Sequence, residues 1–147
     1  MTTSLHRENL PASRLTTLIY LLLSLIFFYW AWSGESDWRY LILFGALLWF
    51  WLYINFRTFH LTATSDGLDF GFGLFRRRLS WVEISGAEQT SDNPYGYGIR
   101  RRKNGLAFLV PSLDKLKITT HDYHYLVSSD EAEEWVKLIN KKINENS

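Results

Sequence analysis

Two apolar runs dominate the chain: residues 15–32 (LTTLIYLLLSLIFFYWAW) and residues 40–56 (YLILFGALLWFWLYINF), neither containing Asp, Glu, Lys, Arg or His. At the helical rise of about 1.5 Å per residue, each run is roughly 25–27 Å long. That approaches the hydrocarbon core of a bilayer, about 30 Å. The seven residues between them, 33–39, permit only a tight antiparallel turn. The runs therefore predict a two-helix transmembrane hairpin over residues 15–56. The whole-chain averages, 47% apolar with a slightly negative mean hydropathy, hide this because the apolar residues crowd before position 57.

Aromatic residues are abundant at 17%, with seven Trp, and several cluster near the ends of the runs. Trp30, Trp32 and Trp38 on one side and Trp49 and Trp51 on the other are expected as interface anchors, since amphipathic rings favour the headgroup level. Arg7, Arg14 and Arg57 flank the outer ends of the runs, against Arg39 in the loop. Short flanks rich in Lys and Arg stay in the cytoplasm, so both termini are expected there. A secretory signal peptide is the competing reading of the first run, with Ala31-Trp32-Ser33 as a small-x-small site. The run is longer than a signal core needs, ends in bulky aromatics and is followed at once by a second span.

Residues 1–14 read as a short polar tail, broken at Pro11 and Ser13 before the first helix, with Ser13 as its N-cap. After Arg57 the hydrophobic period changes from helical to alternating. Phe59, Leu61 and Ala63 make one strand, Ser65-Asp66-Gly67 a turn, and Leu68, Phe70, Phe72 and Leu74 a second strand. Residues 76–84 read as a third. Residues 92–98 form a loop, Asn104-Gly105 signals a hairpin turn, and strands follow at 106–110, 116–120 and 123–127. Short turns between such runs indicate antiparallel pairing. Ser128 or Ser129 can cap a closing helix, Ser128 with Glu131 fitting a capping box, and Ala132, Trp135 or Val136, Ile139 and Ile143 form its one apolar stripe. Residues 57–147 are thus an α+β domain: an antiparallel barrel or sandwich of about seven strands and one C-terminal helix.

That layout resembles bacterial two-helix membrane proteins carrying a cytoplasmic pleckstrin-homology-like domain. The resemblance rests on LTATSDGLDFGFGLFRRRL (61–79), WVEISGA (81–87), YGYGIRRRKNGLAFLV (95–110) and the final helix after SSDEAEEW. It implies a fold, and a place on the inner face of a bacterial cell membrane.

Charge and chemistry narrow the function. A net charge of +1 gives no nucleic-acid signature, and the absence of Cys excludes disulfides and thiolate chemistry. The densest positive clusters are Arg76-Arg77-Arg78 and Arg100-Arg101-Arg102-Lys103. Near an anionic membrane each such charge contributes about 1 kcal/mol. Alternate residues of a strand face opposite ways, so Arg76 and Arg78 can act together while Arg77 cannot join them. Arg76, Arg78, Arg100, Arg101, Arg102 and Lys103 are the candidate contacts to lipid headgroups or a partner. His121-x-x-His124 lacks further ligands nearby, so no metal site is expected. Tyr95-Gly96-Tyr97-Gly98 does not open a helix after a strand, as phosphate-cradling loops do. Ser80, Ser85, Ser112 and Ser128 lack a nucleophile context. The spans carry no ionisable residues for a proton or ion path. Neither has a GxxxG face, since Gly45 is followed four residues on by Trp49.

The expectation is a membrane-anchored module without catalysis or cofactor. Its partners would be the bilayer, anionic headgroups, a membrane protein or a second copy. The alternative is an accessory subunit of a larger membrane enzyme or transporter.

Overall fold

The computed structural model describes residues 4–12, 14–33, 38–90, 96–111 and 113–146. Ser13 as a cap, Glu35 and Asp37 in the hairpin loop, Tyr95 with the loop before it, and Ser112 lie outside the described residues. The chain begins with a strand, β1 (Ser4–Pro11), followed by helices α1 (Arg14–Ser33) and α2 (Arg39–Phe56). Three strands follow: β2 (Thr58–Thr64), β3 (Gly67–Phe72) and β4 (Phe75–Ser80). Next come β5 (Ile84–Thr90), β6 (Gly98–Arg102), β7 (Gly105–Leu109), β8 (Asp114–Thr120), β9 (His124–Ser129) and α3 (Ala132–Asn146). The strands form two sheets, ordered β1-β2-β3-β4 and β5-β8-β9-β7-β6.

Several features differ from the sequence reading. The polar tail is strand β1, paired antiparallel with β2, so the sheet begins before the hairpin and the boundary at residue 57 dissolves. The strand expected over 76–84 stops at Ser80. There Ser80 and Glu83 cap each other reciprocally around one 3-10 turn, and the chain enters the second sheet as β5. Pairing is antiparallel except between β7 and β9, which run parallel.

The hairpin interrupts the sheet at a single point. Pro11 pairs with Thr58, and the Ala12 amide donates to the Arg57 carbonyl at 2.7 Å. The strand turn that would ordinarily join β1 to β2 is replaced by α1 and α2. Both helices are long and apolar enough to cross a membrane, with only 6% and 11% of their windows buried by the rest of the chain. A core helix of a water-soluble domain would be covered. These are bare.

The alternation read from sequence holds in the first sheet. Phe59, Leu61 and Ala63 on β2 and Leu68, Phe70 and Phe72 on β3 are buried, with His60, Thr62 and Asp69 on the outer face; Leu74, expected to extend the second strand, lies instead in the β3–β4 turn and is exposed. One core joins both sheets and α3 through Phe59, Phe70, Phe108, Tyr125, Trp135 and Ile139. Edge-to-face ring pairs such as Phe70–Phe108 at 5.1 Å and Phe70–Tyr125 at 5.5 Å add to its burial. The stripe on α3 is buried as expected at Ala132, Trp135 and Ile139. Asn140 fastens the helix to β5, its amide donating to the Ala87 carbonyl and accepting from the Ala87 N–H. Of the two candidate caps, Ser129 rather than Ser128 bonds the start of α3. Ser128 is buried and bonded to the Val110 backbone, while Ser129 Oγ accepts from the Glu131 amide.

Candidate functional site

Because the hairpin emerges between β1 and β2, distance along each strand of the first sheet measures height above the helices. The register gives the rows. Leu10, Phe59, Phe72 and Phe75 lie nearest the hairpin. Next come Asn9, His60, Gly71 and Arg76, and two residues higher Arg7, Thr62, Asp69 and Arg78. At about 3.3 Å per residue, Arg76 stands one step above the lowest row and Arg78 roughly 7 Å further up.

Arg76 and Arg78 share the outer face of the sheet, as their spacing requires, and Arg7 and His60 join them there. The last two were not among the sequence candidates. Arg7 joins only because β1 is a strand, which no apolar alternation announces. His60 Nδ1 lies 2.7 Å from Asn9 Oδ1. Partial burial, then the nearby Arg76 and Arg7, hold its pKa below the ordinary 6.5 despite the opposing pull of Asp69. Arg76 Nε donates to the Gly73 carbonyl at 2.9 Å, which bends the side chain back toward the turn beside the hairpin.

Arg77 takes the opposite, core-side face, paired with Phe70. On β6, Ile99 packs on the core, so Arg101 shares its side of the strand while Arg100 and Arg102 face outward. A groove of about 340 Å³ runs between the edge strands β4 and β6, lined by Arg77, Arg101, Arg102, Lys103 and Tyr123. The two basic clusters therefore meet, but through Arg77 and Arg101 rather than through Arg76 and Arg78. A second cavity of about 460 Å³ on the outer side of the second sheet is lined by Arg102, Lys103, Lys117 and His124. There Lys117 is paired with Glu88 at 2.6 Å, which holds the Glu88 carboxyl below its usual range. Arg102 and Lys103 stand at the end of β6 remote from the hairpin. Arg100 leans the other way, its guanidinium lying over Gly96.

The joint between hairpin and domain is aromatic. Phe56 stacks on Phe75 at 5.2 Å, and the ring of Trp51 meets that of Phe75 at 6.3 Å. Tyr97 donates its hydroxyl to the Phe56 carbonyl, an acceptor that the end of α2 leaves without a helical partner. Burial raises the Tyr97 pKa, keeping that donor protonated. Of the anchor tryptophans, Trp30, Trp32 and Trp38 are exposed around the hairpin tip, and Trp51 is part-exposed at the joint. Trp49 is the exception. Its ring stacks on Tyr20 of α1 at 4.9 Å, and its Nε1 finds no hydrogen-bond partner among the described residues.

His121 lies in the β8–β9 turn and His124 opens β9. Ligand-type side chains approach one another at His6, Glu131 and Glu134, within 4.8 Å. His6 Nε2 is 3.1 Å from Glu131 Oε2, and its ring meets Trp135 edge-on at 4.7 Å, so the group ties β1 to the start of α3. Glu8 strengthens the same tie. Its carboxylate accepts from Ser129 Oγ at 2.7 Å, the Asp130 amide at 2.6 Å and Trp135 Nε1 at 2.7 Å. Compared with protein-family models, curated proteins and solved structures, the chain matches none.

Proposed function

We propose that this chain is a membrane-anchored interaction module without catalysis of its own. In this reading the hairpin crosses a bacterial cell membrane, and a pleckstrin-homology-like domain rests on the cytoplasmic leaflet. The observation that carries it is the insertion of a bare apolar hairpin within the first sheet. Strands that continue directly from membrane helices must rise from the bilayer, and the register then ranks the charges by height. Arg76, with Arg78, Arg7 and His60 on the same face, is placed to meet anionic headgroups, and Arg100 leans toward the same level. Arg101, Arg102 and Lys103 stand higher, around the groove with Arg77, where a protein partner has access.

The pleckstrin-homology-like assignment draws support from the topology. Without the β6–β7 hairpin, the strands are a four-stranded meander followed by the meander β5-β8-β9 and a closing helix. The test uses the full chain in nanodiscs of neutral or anionic lipid. Anionic lipid should raise the unfolding temperature, and Arg76→Gln with Arg78→Gln should remove most of that rise, two charges at about 1 kcal/mol each. Equal unfolding temperatures in both lipids would sink the headgroup role. A stoichiometric larger membrane protein recovered from mild detergent would instead make the chain an accessory subunit.

A further inference from the structure

The turn between β3 and β4 lies beside α2 rather than above it. The Leu74 amide donates to Asn55 Oδ1 at 3.3 Å, placing the turn level with the last residues of the helix. Phe75 reaches further down, to Trp51, which at about 1.5 Å per residue lies roughly 7 Å from the end of α2. Close approach is built into the backbone. Gly73 adopts φ +44°, and a Cβ there would stand 2.5 Å from the Asn55 carbonyl oxygen, so only glycine lets the turn seat on the helix. The Asn55 amide is meanwhile bonded to the Trp51 carbonyl at 2.9 Å, which fixes its oxygen toward the turn.

What the turn presents is apolar. Leu74 is 76% exposed and Phe75 41% exposed, among the largest bare hydrophobics outside the helices. The patch continues the uncovered surface of α2, and Arg76, Arg77 and Arg78 follow at once. An apolar tip backed by cations matches the order of a bilayer surface, acyl chains below and anionic headgroups above.

From this placement we infer that the Gly73–Leu74–Phe75 turn is a third membrane contact. Leu74 and the edge of Phe75 insert into the interface beside α2, with Arg76 at headgroup level. The inference rests on the membrane reading of the hairpin and adds a fixed tilt: the β4 edge of the first sheet leans into the bilayer. It commits to lipid as the occupant, because the turn shares the level of a helix end that lipid must surround.

The chain has no cysteine, so single-cysteine variants of the full protein need no background removal. Spin labels at Leu74→Cys, Leu48→Cys in mid-α2 and Ser65→Cys at the far β2–β3 turn would be read in phosphatidylcholine–phosphatidylglycerol vesicles. Collision with oxygen and with a water-soluble nickel chelate reports depth. Leu74→Cys should lose nickel access relative to Ser65→Cys while keeping oxygen access, at a depth shallower than Leu48→Cys. If its nickel access equals that of Ser65→Cys while Leu48→Cys stays shielded, the third contact is refuted and the membrane hairpin stands. Shielding of Leu74→Cys from both reagents would show protein on the turn and also refute lipid insertion. Nickel access at Leu48→Cys would overturn the membrane reading and this inference with it.

Discussion

Replacing Glu8 tests whether the segment before the hairpin belongs to the domain after it. Its carboxylate sits on β1 and accepts three hydrogen bonds, all from the stretch that leads from the end of β9 into α3. Two of the donors, Ser129 Oγ and Trp135 Nε1, belong to residues with no measurable exposure. In Glu8→Ala all three lose their acceptor. Water reaches the Asp130 amide, and the Ser129 hydroxyl can rotate, but the indole N–H has nowhere else to turn. A stranded buried donor costs about 1–3 kcal/mol and its lost hydrogen bond to a charged group about 1.5–3 kcal/mol; with the other two donors finding substitutes, the total comes to about 3–5 kcal/mol. Against a usual stability of about 5–15 kcal/mol, that is a large fraction.

For a domain of this size, about 4–8 °C per kcal/mol puts the loss at about 12 °C or more in thermal unfolding, followed by circular dichroism in detergent. Glu8→Gln should fall between, because its amide nitrogen must face either the Asp130 N–H or the Trp135 N–H. Trp135→Phe removes one donor, so the Glu8→Ala/Trp135→Phe pair should show a coupling of about 1–3 kcal/mol. Deleting residues 2–11 should destabilise at least as much as Glu8→Ala. If the deletion left the unfolding temperature unchanged, β1 would be no part of the domain and the reasoning would fail.

Three further outcomes follow from the geometry. Joining Pro11 to Thr58 through Asn-Gly should yield a water-soluble, cooperatively unfolding β-domain, since those residues already pair; a fragment of residues 58–147 alone should be markedly less stable, and gel filtration with thermal melts compares the two. Gly73→Ala should cost about 1–2 kcal/mol from the left-handed backbone alone, visible as a lowered melt, with added loss as the turn lifts from Asn55. The lowered pKa of His60 means the folded state resists its protonation. Its contribution is therefore whole above pH 6.5 and declines as pH falls from there through the lowered value; His60→Gln should flatten that part of a pH–stability curve in neutral lipid.

The apolar hairpin, the strands β2 and β3 and the stripe on α3 were legible because each has a one-sided apolar period. β1 was not. Its core-side residues are His6, Glu8 and Leu10, and two of those are polar because they meet the polar start of α3 rather than the apolar core. An edge strand that buries a carboxylate leaves no alternation to read. The break at Ser80 was hidden likewise: Leu79, Trp81 and Ile84 are all buried, and the 3-10 turn shifts the phase between them without losing hydrophobicity. For the charges, spacing correctly separated Arg77 from Arg76 and Arg78. That Arg77 meets Arg101 depended on which strands lie at the sheet edges, a long-range property that no local pattern carries.

The insertion makes this hairpin differ from a helix appended by a linker. A single tether leaves a domain free to pivot, so any contact it makes competes against orientational entropy at every encounter. Here two strands enter the hairpin side by side, closed by the Ala12–Arg57 hydrogen bond, while the Asn55–Leu74 contact and the Tyr97 bond to Phe56 brace a third and a fourth point. Rotation about any one of these breaks the others. The domain is thus held in one orientation to the hairpin, so on the proposed membrane reading weak surface charges suffice: each arginine would add its modest attraction without first having to order the domain that carries it.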